Sequence, residues 1–326
     1  MEKQRKILEK ISSYRQNIVL LTAVKEGLFE IFMLQKKLDI QNVAQGLGWT
    51  ERGAEILLNA LVALGYLEKN YRNYQISPYY QDVFTEENYP FLKQRLIHHW
   101  RLMRHWQQLD KVLKSGIPIK EELKKEREEN IRNFILAMAQ GEKLNLPILL
   151  NKVSLEGCTH LLDVGGGPGL FSIGFVEKYP ELQATVFDRP EVEAIARKFF
   201  QKSSAKNRLH FRGGNFLFDD LGRGYDVALL SSILHIYSPE ENISLLKKVY
   251  DALKERGKII IREFFLDRTK TRPVDSALFA VNMLVNTERG NAYSTEEIRN
   301  WLKIAGFRKS RRICLRGPVG LMEAFK

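Results

Sequence analysis

The second half of the chain alternates short apolar runs with helical segments, and this alternation constrains the fold more than any other feature. The apolar runs are HLLDV from residue 160, ATVFD from 184, RLHFRGG from 208, YDVALLSSI from 225 and GKIIIREFFL from 257. Segments with helical character, over residues 171–178, 190–201 and 239–253, lie between several of these runs. Repeated strand–helix units predict an α/β fold with a Rossmann-like, doubly wound and mostly parallel sheet that carries helices on both faces.

The end of the chain departs from this alternation. The segments FRKSRRICL from residue 307 and GLMEAFK from residue 320 are joined through Gly317 and Pro318, a pair typical of turns. They predict a terminal antiparallel hairpin.

The first half is helical. Apolar residues between Ile18 and Phe32 recur every three or four positions, the period of an amphipathic helix. A short helix over Val43–Leu47 and a longer one over Glu51–Leu64, with Thr50 as its N-cap, precede a hairpin in YLEKNYRNYQIS. This order predicts a mainly α, winged-helix-like domain.

Three regions follow from these patterns. We expect a winged-helix-like domain over residues 1–95, a helical connector over 96–150 and an α/β domain over 151–326. A helix is expected over Asn130–Gly141. The segment KEELKKEREEN, which leads into this helix, is expected to be a solvated charged face or a linker. His98, His99 and His105 are expected to pack or to lie at the surface.

The charge does not indicate a nucleic-acid partner. The chain of 326 residues has a net charge of +12, but the excess is dispersed, with its densest cluster at Arg308–Arg312. The helix over Glu51–Leu64, which would have to enter a DNA groove, is mostly apolar and suits a core or subunit contact better. Two cysteines, a charged start and no long apolar run predict a reducing, cytoplasmic location without a membrane span.

A glycine-rich segment follows the first predicted strand of the sheet. Gly165, Gly167 and Gly169 lie between that strand and its helix, Asp163 lies near the strand end, and Asp188 ends the second strand. Glycines at this place let the backbone turn tightly and approach a ligand, and a carboxylate after the second strand suits the hydroxyls of a ribose. Together they predict a cofactor that contains a nucleoside.

The spacing of the glycines separates two cofactor classes. A dinucleotide motif G-x-G-x-x-G would require glycine where this chain has Leu170. A compact G-x-G-x-G loop suits S-adenosylmethionine, which carries an amino acid in place of the pyrophosphate. No cluster of cysteine, histidine and carboxylate side chains has the spacing of metal ligands, so no metal is predicted.

The segment LLDVGGGPGLFSIGFVEKYPELQATVFDRPEV resembles the glycine loop and ribose acid of plant-type small-molecule O-methyltransferases and their bacterial relatives. The resemblance covers nearly the whole chain. It implies S-adenosylmethionine as the methyl donor and S-adenosylhomocysteine as the product. It also implies a homodimer formed through a dimerisation domain over residues 1–95, a connector over 96–150 that contributes to the substrate pocket, and an S-adenosylmethionine-binding domain over 151–326.

The resemblance also implies two catalytic residues. His235 in LHIYSPEEN matches the catalytic histidine of the family, although Ile236 replaces the aspartate that follows it there. Glu263 matches a glutamate that orients this histidine, while a second orienting glutamate corresponds to Ala292. Half of the orienting pair is therefore missing.

The ligand-binding residues that the resemblance implies form two sets. Asn215 replaces an acid that contacts the adenine, Ser231 replaces a lysine, and Tyr237 matches an aromatic residue over the adenine. The cofactor set is Asp163, Gly165, Gly167, Asp188, Arg189, Asn215, Phe216, Ser231 and Tyr237. The segment LFAVNMLVN matches a helix of the acceptor pocket, which makes Asn282, Met283 and Asn286 candidates for substrate contact.

The resulting hypothesis is in-line methyl transfer to a hydroxyl group of a small aromatic, polyketide-like or isoprenoid-like metabolite, with His235 as general base. The alternatives are a role of His235 in packing alone, transfer to sulfur, nitrogen or carbon, and a winged-helix regulator that senses a nucleoside ligand. A nicotinamide oxidoreductase is a more distant alternative.

Overall fold

The computed structural model describes residues 1–119, 127–315 and 319–326. The chain divides into two compact units, Met1–Arg104 and His105–Lys326.

The first unit combines helices with a two-stranded sheet. Its described elements are α1 (Glu2–Ser12), α2 (Tyr14–Lys25), α3 (Leu28–Leu34), α4 (Ile40–Leu47), α5 (Glu51–Ala63), β1 (Leu67–Asn70), β2 (Asn73–Ile76) and α6 (Tyr89–Trp106), whose last two residues belong to the second unit.

The side chains that cap α4 and α5 explain where these helices begin. Asp39 accepts a hydrogen bond from the Asn42 N–H at 2.8 Å, so α4 starts earlier than the sequence predicts. Thr50 accepts one from the Gly53 N–H at 3.1 Å and caps α5, as predicted. The strands β1 and β2 pair as the expected antiparallel hairpin.

The predicted helix between Ile18 and Phe32 is interrupted. Gly27 has a φ of +82°, which ends α2 and lets α3 begin in a new direction. Both helices bury apolar side chains, and Phe29 of α3 is fully buried with Leu58 of α5. The apolar period is therefore correct, but the continuous helix is wrong.

The second unit is a seven-stranded sheet with helices. Its described helices are α7 (Leu109–Ser115), α8 (Arg127–Lys152), α9 (Leu170–Lys178), α10 (Glu193–Phe200), α11 (Pro239–Ala252), α12 (Val274–Asn286) and α13 (Thr295–Ile304). Its described strands are β3 (His160–Val164), β4 (Gln183–Asp188), β5 (Leu209–Gly213), β6 (Tyr225–Ser231), β7 (Leu253–Glu263), β8 (Arg308–Cys314) and β9 (Gly320–Phe325).

The strand order confirms the predicted fold class. The order is β5-β4-β3-β6-β7-β9-β8, with β3 to β7 parallel and β9 antiparallel to both β7 and β8. The chain proceeds outward from β3 in one direction and then continues from β6 in the other, so the order reverses beside β3. Ligands of such sheets bind at the carboxyl ends of the strands where this reversal occurs.

Apolar residues fill both faces of this sheet. Leu162 and Leu230 belong to one buried cluster, and Leu161 and Leu229 belong to the cluster on the opposite face. Side chains alternate between the faces of a strand, so a strand covered on both sides is apolar throughout.

The predicted helix over Asn130–Gly141 is too short, because it is part of the longer helix α8. It continues past Gly141 and through Pro147 to Lys152. Leu149 near its end is 1% exposed, and a Cβ added to Gly174 of α9 would touch Leu146. This packing against α9 outweighs the weak helix propensity of glycine and proline.

Other predicted boundaries shift by a few residues. Pro190–Val192 form a 3-10 turn before α10, and β7 begins at Leu253 instead of Gly257. The terminal hairpin of β8 and β9 is confirmed, while the predicted turn at Gly317 and Pro318 lies outside the described residues.

Part of the basic cluster in β8 has a structural role. Arg311 pairs with the buried Glu323 at 2.7 Å, and Arg312 donates to Thr295 at 2.9 Å and lies over the ring of Phe265. These contacts join β8 to β9 and α13.

In the described part of the chain, no helix is long and apolar enough to cross a membrane.

Candidate active site

The glycine loop after β3 combines left-handed backbone with tight packing on one side and open space on the other. Gly165 and Gly167 have φ values of +67° and +56°, which favour glycine. A Cβ at Gly165 would overlap the side chain of Ile233, whereas a Cβ at Gly167 would meet no described atom within 4 Å. The backbone at Gly167 is therefore open to a ligand.

Asp163 lies beneath this loop. It is 1% exposed, its Oδ2 accepts a hydrogen bond from the Ser172 hydroxyl at 2.7 Å, and a Cβ at Gly166 would lie 2.5 Å from its carboxyl carbon. Its Oδ1 has no hydrogen-bond partner among the described residues. Burial, with a further contribution from the charge of Asp188, raises the pKa of Asp163 to about 7.

Asp188 at the end of β4 is held by two backbone N–H groups. Gly167 donates to its Oδ2 at 2.8 Å and Arg189 donates to its Oδ1 at 2.7 Å. A carboxylate has about four acceptor positions, so two remain for other donors such as a pair of hydroxyls. Burial raises the pKa of Asp188 despite these bonds.

Besides Asp163 and Asp188, a third acidic residue belongs to this group of carboxyl side chains, namely Glu142 of α8. The sequence does not predict it. Its Oε2 is buried, and no described residue forms a hydrogen bond with it. Burial and the charges of Asp163 and Asp188 raise its pKa to about 8, although Arg262 acts in the opposite direction. The sequence ends this helix at Gly141, so it gives no signal for Glu142.

His235 and Glu263 form a buried pair at the carboxyl ends of β6 and β7. His235 lies on a 3-10 turn over Leu234–Ile236 and is 8% exposed, while Glu263 is the last residue of β7 and is 1% exposed. The distance from His235 Nδ1 to Glu263 Oε1 is 2.7 Å, and the His235 backbone N–H donates to Oε2 at 3.3 Å. Both oxygens of this carboxylate thus hold the histidine.

The loop that carries His235 is fixed by its neighbours. Asn242 donates to the carbonyl of Leu234 at 2.9 Å, and the Asn291 N–H donates to the carbonyl of His235 at 2.9 Å. Ala292, which stands where the second orienting glutamate is expected, is buried next to this contact. Backbone bonds therefore hold the loop on the side where that glutamate is missing.

Aromatic rings border the histidine. The ring of Phe279 on α12 meets His235 edge to face at 4.8 Å and stacks on Phe264 at 3.9 Å. Tyr237 meets Phe216 at right angles at 5.7 Å. These rings provide apolar surface next to His235.

Two further residues of the predicted cofactor set also have bonds within the chain. The Asn215 side-chain oxygen accepts the Leu217 N–H at 3.1 Å, and Asn215 itself is exposed. Ser231 is buried at the end of β6, where Arg262 donates to it at 3.4 Å. The resemblance implies that other members of the family have a lysine at the position of Ser231. Here Arg262 of β7 lies beside this serine.

The predicted substrate residues occupy the C-terminal half of α12. Met283 is buried, whereas Asn282 and Asn286 are half-buried. Asn282 accepts a hydrogen bond from the Trp106 indole at 3.0 Å, and Asn286 Oδ1 lies 2.6 Å from Nδ1 of His105. His105 and Trp106 are absent from the sequence-predicted site, because contacts across more than 170 residues leave no periodic signal.

In the described residues, no group of three or more histidine, cysteine, aspartate or glutamate side chains is placed to hold a metal ion.

A glycine loop after the first parallel strand, an acid at the end of the second and a histidine–glutamate pair at the ends of the fourth and fifth fit the class of S-adenosylmethionine-dependent methyltransferases. Residues 108–308 match the O-methyltransferase domain and residues 8–82 match the O-methyltransferase dimerisation domain. The chain therefore belongs to the O-methyltransferase family, and it is an S-adenosylmethionine-dependent enzyme. The family and fold predicted from the sequence are confirmed.

Known relatives share almost the full length of the chain. The 3-hydroxy-5-methyl-1-naphthoate 3-O-methyltransferase of Streptomyces sahachiroi is 32% identical, over 92% of this chain and 88% of that protein. The acetylserotonin O-methyltransferase of Macaca mulatta is 28% identical, over 89% and 88%. Among solved structures, human N-acetylserotonin methyltransferase in complex with S-adenosylmethionine is similar with a TM-score of 0.87 and 26% identity, over 100% of this chain and 98% of that one.

Proposed function

We propose that this enzyme methylates a hydroxyl group of a small aromatic, polyketide-like or isoprenoid-like metabolite, with His235 as general base and Glu263 as the residue that orients it. The 2.7 Å contact between His235 Nδ1 and Glu263 Oε1 carries this proposal. The names of the relatives support a small-molecule acceptor, since one acts on a hydroxynaphthoate and another on acetylserotonin.

The contact with Glu263 determines which nitrogen of His235 can act. An ionised carboxylate only accepts hydrogen bonds, so Nδ1 must carry the proton. In the neutral imidazole this leaves the lone pair on Nε2, which removes the proton of the acceptor hydroxyl. General-base catalysis of this kind typically contributes about 10²–10⁴-fold in rate.

The remaining chemistry is a displacement at carbon. When bound, S-adenosylmethionine would supply a methyl group on a positively charged sulfur, and breaking of the carbon–sulfur bond would give S-adenosylhomocysteine. The acceptor oxygen forms the new bond to the methyl carbon, and its proton ends on Nε2 of His235. Holding the reactants in line lowers the barrier by up to about 7–11 kcal/mol, so the positioning residues matter as much as the base.

The residues around the glycine loop fit a cationic donor. Glu142 Oε2 and Asp163 Oδ1 are buried carboxyl oxygens without a hydrogen-bond partner in the described residues, and positive charge would stabilise both. Gly167 leaves room for close approach, and Asp188 retains acceptor capacity for a ribose. The cofactor set is Asp163, Gly165, Gly167, Asp188, Arg189, Asn215, Phe216, Ser231 and Tyr237, with Glu142 as an addition, and no metal is invoked.

Residues of α12 line the acceptor side in this proposal. Phe279 meets His235, while Asn282, Met283 and Asn286 lie one and two turns further along the helix. Phe279 and Phe264 offer apolar surface to a ring. The acceptor is therefore expected to be flat and partly apolar.

The proposed functional regions are dimerisation by residues 1–95, a connector over 96–150 and catalysis by 151–326. A homodimer is supported by the match of residues 8–82 to the dimerisation domain and by α1, in which no residue is buried. Ile7, Leu8 and Ile11 of α1 are 58%, 66% and 62% exposed. A second copy of the chain would cover this apolar face.

The proposal is tested by product identity. The purified enzyme is incubated with isotopically methyl-labelled S-adenosylmethionine and a panel of phenols, thiols and amines, and the products are analysed by mass spectrometry. We expect labelled methyl ethers of phenols and stoichiometric S-adenosylhomocysteine. Label on carbon, sulfur or nitrogen alone would contradict the hydroxyl as acceptor.

A further inference from the structure

A network of hydrogen bonds joins the C-terminal half of α12 to the last two residues of α6. Trp106 Nε1 donates to Asn282 Oδ1 at 3.0 Å, and His105 Nδ1 lies 2.6 Å from Asn286 Oδ1. Asn286 Nδ2 donates to the Asn282 backbone carbonyl at 2.7 Å and to Asn282 Oδ1 at 3.1 Å. All four side chains are half-buried, so each keeps part of its surface exposed.

The direction of every hydrogen bond in this network is fixed, because it contains one group that can only donate and one that can only accept. The indole N–H of Trp106 can only donate, which makes the facing atom of Asn282 its oxygen. The backbone carbonyl of Asn282 can only accept, which makes the atom that contacts it the nitrogen of Asn286. Asn286 therefore turns its oxygen toward His105, and His105 must donate from Nδ1.

This assignment leaves Nε2 of His105 as a hydrogen-bond acceptor in the neutral ring. No described residue bonds to Nε2, since the structure gives His105 a hydrogen bond through Nδ1 alone. The partner of His105 is a neutral amide, whereas the partner of His235 is a carboxylate. A carboxylate stabilises the imidazolium that forms in base catalysis, and an amide does so far less, so His105 is suited to recognition of a donor and not to removal of a proton.

Helix α12 relates the two histidines in space. Phe279, Asn282 and Asn286 are three and four residues apart, a spacing that places them on one face of the helix. Phe279 contacts His235 at one end of this face, and Asn286 contacts His105 at the other. Seven residues of α-helix span roughly 10 Å, which is the length of a two-ring aromatic molecule with a substituent at each end.

We propose that His105 Nε2 accepts a hydrogen bond from a hydroxyl or N–H group of the methyl acceptor, at the end opposite to the hydroxyl that faces His235. The acceptor class is thus an elongated aromatic molecule with a second hydrogen-bond donor. This inference rests on the proposed function, because it takes His235 as the position of the reacting hydroxyl.

Three naphthalene probes separate the relevant properties. 2,6-Dihydroxynaphthalene has a donor at both ends, 6-methoxy-2-naphthol has only an acceptor at the far end, and 2-naphthol has nothing there. We measure kcat/KM for methyl transfer to each probe, and Kd of each for the enzyme saturated with S-adenosylhomocysteine. We expect the diol to be preferred over both others by about tenfold or more in both quantities, well above the factor of about two that its symmetry provides.

Variants of His105 assign the preference to this side chain. His105→Phe keeps a flat ring without an acceptor, and it should reduce the preference to about the factor of two that symmetry gives. His105→Gln retains an acceptor and should preserve part of the preference. Thermal unfolding and affinity for S-adenosylhomocysteine show whether each variant is folded. An undiminished preference in His105→Phe, equal treatment of the three probes by the wild type, or no binding of the diol would overturn the inference.

A spectroscopic measurement on the wild-type enzyme does not depend on the variants folding. Long-range ¹H–¹⁵N correlation spectra distinguish the two neutral tautomers of histidine, and we expect His105 as the Nδ1–H form, with a shift of its Nε2 resonance when the diol is added. The Nε2–H form would contradict the inference. If the wild type binds the diol preferentially but transfers no methyl group to it, the role of His235 is refuted and that of His105 stands. If the wild type methylates all three probes equally, the role of His105 is refuted and that of His235 stands.

Discussion

Glu263 Oε1 lies 2.7 Å from Nδ1 of His235, and the two side chains are 1% and 8% exposed. The same carboxylate also accepts the His235 and Phe264 backbone N–H groups at 3.3 and 3.1 Å. One acidic side chain at the end of β7 thus fixes the position of the turn after β6 and the tautomer of its histidine.

Replacing Glu263 with Gln should reduce kcat by roughly 10²-fold, because an amide can present either a donor or an acceptor to Nδ1 and no longer imposes one tautomer. The affinity for S-adenosylhomocysteine, measured by calorimetry, should stay nearly constant, since Glu263 is placed at the acceptor side. Glu263→Asp, which keeps the charge but shortens the side chain, is the matched variant. An equal loss of kcat and of cofactor affinity would show that Glu263 only supports the fold.

Alanine at two glycines of the loop should affect different properties. Gly167→Ala meets open space, so it costs only the left-handed backbone, about 1–2 kcal/mol, but it should weaken binding of S-adenosylmethionine strongly. Gly165→Ala has the same backbone cost and also overlaps Ile233, so it should lower the Tm further. Thermal unfolding and calorimetry measure the two effects. Tight cofactor binding by Gly167→Ala would contradict the placement of the ligand over this residue.

Glu142 predicts a pH dependence of stability in the cofactor-free enzyme. Its pKa is raised from the ordinary 4.5 of a glutamate to about 8, so between these values the folded state holds more protons than the unfolded state, and stability falls as pH rises. The Tm of the wild type should therefore fall more between about pH 5 and pH 8.5 than that of Glu142→Gln. The wild type should also bind S-adenosylmethionine more tightly at the higher pH.

The exposed Glu156→Gln is the matched control for this experiment, and it should follow the wild type. Asp163, whose pKa is also raised, is present in all three proteins, so the comparison measures Glu142 together with its coupling to Asp163. Parallel Tm profiles of wild type and Glu142→Gln would contradict a buried, unpaired carboxyl at this position.

The apolar face of α1 should be required for the dimer. The double substitution Ile7→Glu and Ile11→Glu places two charges on this face, and light scattering coupled to size exclusion should then show a monomer. Gln4→Glu adds a charge to the same helix as a control and should leave the dimer intact. A dimer that survives the double substitution would place the subunit contact elsewhere.

Sequence patterns predict the sheet because strands covered on both faces are uniformly apolar, as in HLLDV and YDVALLSSI, and the helix starts because caps such as Thr50 act locally. The resemblance supplies His235 and Glu263, which the structure brings into contact. The two residues are 28 positions apart and lie at the carboxyl ends of the adjacent parallel strands β6 and β7. Their contact can therefore be predicted once the fold is known.

Other features depend on packing that no local pattern encodes. The continuation of α8 through Gly141 and Pro147 is decided by tertiary contacts, such as that of Leu146 with Gly174. Glu142 falls beyond the predicted end of its helix for the same reason. The contact of His105 with Asn286 joins residues 181 positions apart, and only the folded chain shows it.

The role of His235 is tested most directly by His235→Gln, compared with the wild type in kcat for methyl transfer to 2,6-dihydroxynaphthalene and in Kd for S-adenosylhomocysteine. We expect kcat to fall by about 10²–10⁴-fold while Kd changes by less than roughly threefold, because the side chain removes a proton from the acceptor and does not hold the cofactor. Undiminished kcat in His235→Gln would contradict general-base catalysis by His235.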